Sequence, residues 1–296
     1  MVLIDNKFNI INDERKEKLD EILNEVVSYL NSILTNESIK QIIGDNSQNV
    51  IIQLTDNSSY AIKLPNGMIR TANFPNSVAA LKTNMCNEIN ESEIYIVPGV
   101  ALRTNYSKHQ LVHELLHALS SNQHNYFNES GITYTKTGTK TDFYGKDTNN
   151  VVIANNPSSD GLNEGITEFL ASNIMNDYNG NYAPFVVISK LFLEANFNLI
   201  NAYFSRNSDE LEKFYGDLEE KQTIITREDL MNLNSKENNP EFLARIINGA
   251  ISYNEASNPD FSEEDLNSII SYLDSNSILD AGSWSDLISI DKSMKF

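Results

Sequence analysis

Residues 109–117 read His-Gln-Leu-Val-His-Glu-Leu-Leu-His, and the interpretation of the whole chain starts from this stretch. Residues four apart on an α-helix lie one turn apart on the same face, so the imidazoles of His113 and His117 can reach a single ion. Zinc binds such nitrogens at about 2.0–2.1 Å. Glu114 follows the first of these histidines and can take a proton from a water molecule at the open coordination position. The stretch therefore predicts a helix that binds a catalytic zinc ion.

The four histidines of the chain all fall within residues 109–124, a clustering that random placement would rarely produce. His109 lies two helical turns before His117, about 12 Å along the axis, so these two cannot join His113 around one ion. We expect His109 to be a capped, partly exposed residue. His124 remains a weaker alternative as a third ligand. The alternative for these four histidines is an ordinary amphipathic helix that carries them on its surface and binds no metal.

A second motif lies downstream, where residues 161–170 read Gly-Leu-Asn-Glu-Gly-Ile-Thr-Glu-Phe-Leu. Together, His-Glu-x-x-His and Asn-Glu-x-x-x-Glu resemble the gluzincin class of zinc metallopeptidases, the thermolysin-like clan. The resemblance implies that Glu164 is the third zinc ligand and that Glu168 orients His113. The alternative is a pair of surface glutamates, which the apolar neighbours of the motif disfavour. The resemblance also implies one catalytic Zn²⁺ and a peptide or protein substrate.

The predicted fold class is α+β, with a zincin-like two-lobe architecture. Residues 1–160 would form an α+β lobe with an N-terminal helix, a mixed sheet and the metal helix, and residues 161–296 a mainly helical lobe carrying Glu164. The apolar spacing predicts helices over 13–34, 37–43, 78–86, 108–120 and 160–178, and then over 182–205, 208–221, 227–234, 238–254 and 262–274. Strands are predicted over 49–54, 60–64 and 93–97, with a hairpin over 131–144.

Several local signals place the ends of these elements. Gly44 should end the second helix, Pro65-Asn66-Gly67 should form a turn, and Pro98-Gly99 should end a strand. Ser107 should cap the metal helix with Gln110 as its capping-box partner. Asp160 or Asn163 should cap the helix that carries Glu164, and Gly165 should let that helix approach the metal helix closely.

Composition excludes several classes of protein. The 296 residues are 40% hydrophobic and 21% charged, which is typical of a globular protein. The net charge of −19 argues against binding to nucleic acid and to anionic lipid. Cys86 is the only cysteine, so no intrachain disulfide can form. No signal peptide or transmembrane span is recognisable, so we expect a cytoplasmic location, with export by a leaderless route left open. The sequence gives no information on oligomeric state.

The predicted function is therefore hydrolysis of peptide bonds with Glu114 as general base. Tyr134 and Tyr144 are candidates to donate a hydrogen bond to the oxyanion of the tetrahedral intermediate, although ordinary hairpin tyrosines would also fit the pattern. One alternative is a zinc amidase or deformylase that uses Cys86 as third ligand. A second alternative is a binding or regulatory protein in which zinc only stabilises the fold.

Overall fold

The structure is a computed structural model of the chain. It describes residues 2–3, 13–55, 59–63, 68–76, 78–89, 92–146, 152–178, 180–206, 208–237, 239–277, 279 and 282–288. Contacts within the chain define two compact units, Met1–Pro157 with Tyr203–Asn207, and Ser158–Ala202 with Ser208–Phe296. The boundary between the two lobes predicted from the sequence follows residue 160. The fold is mixed α+β, as the sequence predicted.

The first unit contains three helices and ten strands among its described residues. The helices are α1 (Asp13–Ile33), α2 (Glu37–Asn49) and α3 (Lys108–Leu119). The strands are β1 (Val2–Leu3), β2 (Ile51–Thr55), β3 (Ser59–Lys63), β4 (Ile69–Asn73), β5 (Ala80–Ile89), β6 (Glu93–Arg103), β7 (His124–Tyr126), β8 (Ile132–Thr137), β9 (Lys140–Lys146) and β10 (Val152–Ser158).

Seven of these strands form a mixed sheet in the order β1-β2-β6-β5-β3-β4, with β7 also paired to β6. Strands β1, β2 and β6 run parallel, whereas β5 and β7 are antiparallel to β6. Helix α3 packs against β5, β6 and α1. Its residues Leu111, Val112, Leu115 and Leu116 are fully buried, and so are Val26 and Leu30 of α1. Helix α3 is therefore a core element, and burial on both sides fixes its orientation.

Two predictions about this sheet are wrong. Residues 78–86 were expected to be helical, but Ala80–Ile89 is strand β5, paired antiparallel with β6. Its Ala and Leu residues favour a helix locally, and sheet pairing overrides that preference. Strand β6 does not end at Pro98-Gly99 but continues to Arg103. The register shifts between Asn84 and Cys86, opposite Pro98, and such a bulge accommodates a residue that has no N–H to donate.

The second helix is also longer than predicted, because α2 continues through Gly44 to Asn49. A side chain at residue 44 would meet no atom within 4 Å, so the glycine costs helix propensity but causes no break. Asn46 beyond it is buried, and its amide donates hydrogen bonds to the carbonyls of Leu119 and Ser121, at 2.6 and 3.1 Å. These tertiary hydrogen bonds stabilise the part of α2 that follows Gly44. The turn predicted at 65–67 lies outside the described residues.

The second sheet has the order β10-β9-β8. The predicted hairpin is confirmed, since β8 pairs antiparallel with β9 from Ile132↔Gly145 to Thr137↔Lys140. Gly138 in the turn has a φ of 60°, which a glycine adopts without strain. One face of the hairpin carries Tyr134 opposite Phe143, and the other face carries Tyr144.

The second unit is helical. Its elements are α4 (Asp160–Met175), α5 (Ala183–Ala195), α6 (Asn198–Phe204), α7 (Asp209–Lys221), α8 (Arg227–Asn232), α9 (Pro240–Ser257), α10 (Glu263–Asn276) and α11 (Trp284–Leu287). Phe192, Phe214 and Tyr253 form an aromatic core with ring centroids 5.3–6.0 Å apart. The helix predicted over 182–205 is in fact two helices, α5 and α6. The short helix α11 was not predicted.

No single helix within the described ranges is long and apolar enough to cross a membrane. Helices α5 and α6 pass that test only as a pair, bent by 118°.

Candidate metal centre

Helix α3, the predicted metal helix, has side-chain hydrogen bonds at both of its ends. Ser107 accepts a bond from the backbone N–H of Gln110, and the side chain of Gln110 accepts one from the N–H of Ser107, which confirms the predicted capping box. At the other end, Ser120 and Ser121 donate to the carbonyl of His117, and Asn46 donates to that of Leu119. Because both ends are fixed, the helix can hold its ligands in one position.

His113 and His117 lie on the same face of α3, as the four-residue spacing predicted. Their exposed fractions are 8% and 5%, and their Nε2 atoms are 3.2 Å apart. Two ligands at 2.0–2.1 Å from a tetrahedral zinc would be separated by about 3.3 Å. This separation is compatible with one shared ion, and it is equally that of a hydrogen bond between the two rings.

Glu164 completes a group of three potential ligands with these histidines. One ligand atom from each of His113, His117 and Glu164 lies within 4.8 Å of the other two. Among the residues that the structure describes, this is the one set of His, Cys, Asp and Glu side chains with such a spacing. Two imidazoles and one carboxylate are a donor set that zinc enzymes use, with the fourth position open.

Helix α4, which carries Glu164, is set in place by a close approach at Gly165. A Cβ atom built on Gly165 would lie 2.2 Å from the carbonyl oxygen of Phe185 and 2.5 Å from Oγ of Ser189, both on α5. The prediction that Gly165 brings α4 close to the metal helix is thus wrong. The glycine instead allows α4 to pack directly on the backbone of α5.

The start of α4 is held by the segment that follows α8. The N-cap is Ser159, with a left-handed φ of 59°, and not Asp160 or Asn163 as predicted. Asp160 instead accepts hydrogen bonds from both the N–H and the hydroxyl of Ser235. The N–H of Gly161 donates to the carbonyl of Leu233 at 2.8 Å. Glu164 therefore stands one turn from a tightly attached helix end.

Glu114 points toward strand β5. Its Oε2 accepts a hydrogen bond of 2.6 Å from the backbone N–H of Lys82. A backbone donor in a paired strand is rigid, so it fixes the direction in which the carboxylate points. Lys82 was missed in the sequence, because residues 78–86 were assigned to a helix and no side-chain signal marks a backbone donor.

The side chain of Lys82 lies beside the same site. Its Nζ donates to Oγ1 of Thr137 at 3.2 Å, and Thr137 shares a hydrogen bond of 3.2 Å with Ser121. Burial lowers the pKa of Lys82 to about 8, with the carboxylates of Asp142 and Glu114 acting in the opposite direction. A chain of polar contacts thus connects β5 and β8 with the end of the metal helix.

The two candidate tyrosines occupy different faces of the β8–β9 hairpin. Tyr134 is 53% exposed and packs against Phe143, with ring centroids 4.5 Å apart. Tyr144 is buried in a cluster with Ile94 and Ile96, and its hydroxyl accepts a hydrogen bond of 3.0 Å from Asn84 of β5. Burial raises the pKa of Tyr144, which keeps its hydroxyl protonated at neutral pH.

Three further residues of the sequence prediction can be placed. Glu168 is 3% exposed, and its carboxylate adds to burial in raising the pKa of Tyr272. A role for Glu168 in orienting His113 stays a prediction. His109 is buried at 7% exposure, not partly exposed as expected. His124 is half exposed, with Nδ1 3.6 Å from Glu93, and it is not part of the three-ligand group.

Comparison with known proteins gives no assignment. No family model matches the chain. No curated protein and no solved structure matches it either. Any functional conclusion therefore depends on the geometry and chemistry of the site itself.

Proposed function

We propose that the protein is a zinc-dependent metallopeptidase. The observation that carries this proposal is the grouping of His113, His117 and Glu164 within 4.8 Å, with Glu114 beside the first ligand on the same helix. The donor set fits zinc, because borderline imidazole nitrogens and one carboxylate suit that ion, whereas calcium and magnesium prefer oxygen ligands alone. When bound, zinc supplies Lewis acidity, which polarises a carbonyl and makes water a stronger acid.

Glu114 is the general base of the proposed reaction. Its carboxylate takes a proton from the attacking water and later delivers that proton to the amine that leaves. The hydrogen bond from the Lys82 N–H holds one of its oxygens, so that the orientation of the carboxylate does not have to be found in each turnover. This is the role expected of a glutamate that neighbours a metal ligand without being one.

Of the two tyrosines, Tyr144 is the better candidate to stabilise the oxyanion. It lies on the hairpin face that contacts Asn84, two residues along β5 from Lys82, whereas Tyr134 lies on the exposed face. Because the hydroxyl of Tyr144 accepts the bond from Asn84, its own hydrogen can be donated to a developing negative charge.

The zincin-like two-lobe architecture remains part of the same proposal. It is supported by an α+β unit that carries the metal helix and a helical unit that carries Glu164. The amidase or deformylase alternative requires Cys86 as a ligand, and the side chain of Cys86 lies outside the described part of the chain. Substitution of Cys86 by Ser and of Glu164 by Ala would separate the alternatives, because only loss of a true ligand should release zinc.

The deciding experiment is cleavage of a mixed peptide library by the zinc-loaded protein, with and without a chelator. We expect chelator-sensitive cleavage that Glu114→Gln abolishes while it retains zinc. Glu129→Gln is the matched control, since it removes the same charge from an exposed site. Full activity of Glu114→Gln would refute the mechanism. Stoichiometric zinc without cleavage of any peptide would instead favour a zinc-stabilised binding protein.

A further inference from the structure

The residue that caps the start of helix α4 is held by a buried tyrosine of α7. Ser159 is this N-cap, with a φ of 59° and a ψ of 33°, a left-handed conformation that residues other than glycine rarely adopt. Its hydroxyl shares a hydrogen bond of 3.0 Å with the phenol of Tyr215. Both residues are buried, with exposed fractions of 2% and 3%. A strained residue persists only where the surrounding contacts determine its conformation, and such residues are common at functional sites.

Tyr215 is itself fixed in place. The guanidinium of Arg227, the first residue of α8, lies over its ring, with Cζ 5.3 Å from the ring centroid. The same guanidinium is paired through two hydrogen bonds with Glu212, which lies on α7 three residues before Tyr215. Because the ring is both buried and covered, the phenol cannot move away from Ser159 without breaking these contacts. The hydrogen bond therefore connects the start of α4 to a rigid part of the second unit.

Helix α8 also holds the backbone of the same cap. The carbonyl of Met231 accepts a hydrogen bond of 2.9 Å from the N–H of Ser159. Arg227 and Met231 lie one turn apart on α8, with Nε of the arginine 3.4 Å from Sδ of the methionine. The side chain of Ser159 is thus attached to α7 and its backbone to α8, and these two helices contact each other. All of these contacts lie within the second unit.

The cap is connected to Glu164 by the first hydrogen bonds of α4. The carbonyl of Ser159 accepts a hydrogen bond of 3.0 Å from the N–H of Asn163, the residue directly before Glu164. Asn163 is fixed from the other side as well, because its carbonyl accepts a hydrogen bond of 2.7 Å from the hydroxyl of Thr167. Each backbone hydrogen bond of a helix spans four residues, so a displaced end also displaces the turn that follows it. The position of Ser159 therefore affects the position of Glu164.

We propose that Tyr215 is a positioning residue for Glu164 and acts through its hydrogen bond with Ser159. The inference rests on the proposed function, in which Glu164 is the third zinc ligand. By linkage, loss of the hydrogen bond weakens zinc binding by at most about the free energy that the bond itself contributes. For a buried hydrogen bond, that contribution corresponds to about two- to tenfold in an equilibrium constant.

The zinc affinity of Tyr215→Phe, measured by competition with a chelator, tests this proposal. Phenylalanine fills nearly the same space and removes only the hydroxyl, so we expect the Kd for zinc to rise about three- to tenfold. The absorption bands of the cobalt-substituted protein should also change, because they depend on the geometry of the ligands around the ion.

Tyr253→Phe is the matched control. Tyr253 is a buried tyrosine of the same unit, and its hydroxyl donates a hydrogen bond to Asp217, away from the start of α4. The control variant should lower the urea midpoint by as much as Tyr215→Phe does, or by more. It should nevertheless leave the Kd for zinc within about twofold and the cobalt bands unchanged, which a general loss of stability would not explain.

A double-mutant cycle with Ser159→Gly shows whether the two residues act through one hydrogen bond. Glycine adopts the left-handed conformation without strain but lacks the hydroxyl. Ser159→Gly should raise the Kd about as much as Tyr215→Phe does, and the double variant should raise it no further. An unchanged Kd or an unchanged cobalt spectrum in Tyr215→Phe, additive effects in the double variant, or an equal rise in Tyr253→Phe would overturn the proposal.

The variant Glu164→Ala separates failure of this proposal from failure of the metal centre. If the wild-type chain binds no zinc, or if Glu164→Ala binds it as tightly as the wild type, the metal centre is wrong and the role of Tyr215 is refuted with it. If Glu164→Ala loses affinity while Tyr215→Phe keeps it, only the positioning role is refuted.

Discussion

Replacement of Gly165 by alanine is the most informative change to the scaffold of the candidate site. The added methyl carbon would lie 2.2 Å from the carbonyl oxygen of Phe185, and ordinary contact begins at 3.4 Å. The backbone of α4 or α5 must therefore shift by about 1.2 Å, the difference between these distances. The obstacle is backbone and cannot rotate away as a side chain would.

The expected change in the free energy of unfolding is the sum of two opposing contributions. Alanine gains about 1 kcal/mol over glycine in a helix interior. Overpacking of a tight contact costs about 1–3 kcal/mol. We expect a cost near the upper end of this range, because the added methyl group would overlap a backbone atom. We expect Gly165→Ala to lose roughly 1–2 kcal/mol in free energy of unfolding. It should also weaken zinc binding by about tenfold or more, because it displaces the turn that carries Glu164.

Gly216→Ala is the matched control. Gly216 also lies within a helix, α7, but a side chain there would meet no atom within 4 Å. It should gain up to about 1 kcal/mol and leave zinc affinity unchanged. Urea unfolding and competitive zinc titration measure both quantities. If Gly165→Ala stabilised the protein as much as Gly216→Ala does, the assigned close approach of α4 and α5 would be wrong.

Three further changes test individual contacts. Asn46→Leu leaves the carbonyl of Leu119 without its buried donor and should destabilise the protein by about 1–3 kcal/mol in urea unfolding. Burial lowers the pKa of Lys136 to about 7, so the unfolded chain binds more protons above that pH, and stability should rise from pH 7 toward 10. Lys136→Met should reduce this slope by up to about 1.4 kcal/mol per pH unit, and an unchanged slope would contradict the assignment. Tyr144→Phe should lower kcat by about 10²-fold with little change in zinc content, whereas Tyr134→Phe should leave kcat unaltered.

The sequence was most informative where a periodic pattern and a chemical requirement coincide. The extent of α3, its capping box and the shared face of His113 and His117 all follow from local rules, and the structure agrees with each. The hairpin of β8 and β9 was equally predictable from its glycine turn and alternating residues. In these stretches, local preference and tertiary packing favour the same conformation.

The incorrect predictions concern residues whose conformation is decided by contacts with residues distant in the sequence. Residues 80–89 have helical preferences but pair with β6, and Gly44 does not stop α2 because Asn46 finds carbonyl partners beyond it. The bond from Lys82 to Glu114 uses a backbone N–H, which every residue except proline possesses, so no residue type could reveal it. A glycine at residue 165 indicates a close contact between helices, but the sequence alone does not show that α5 is the helix it contacts.

Zinc binding by the purified chain, compared between the wild-type protein and Glu164→Ala, tests the central claim most directly. We expect about one zinc ion per wild-type chain, and an affinity at least about 10²-fold weaker when the carboxylate is lost from the ligand set. Glu168→Ala, one turn further along α4, serves as a comparison and should cost less than loss of the direct ligand. A wild-type chain that takes up no zinc, or a Glu164→Ala variant that binds it as tightly as the wild type, would contradict the assignment of this metal centre.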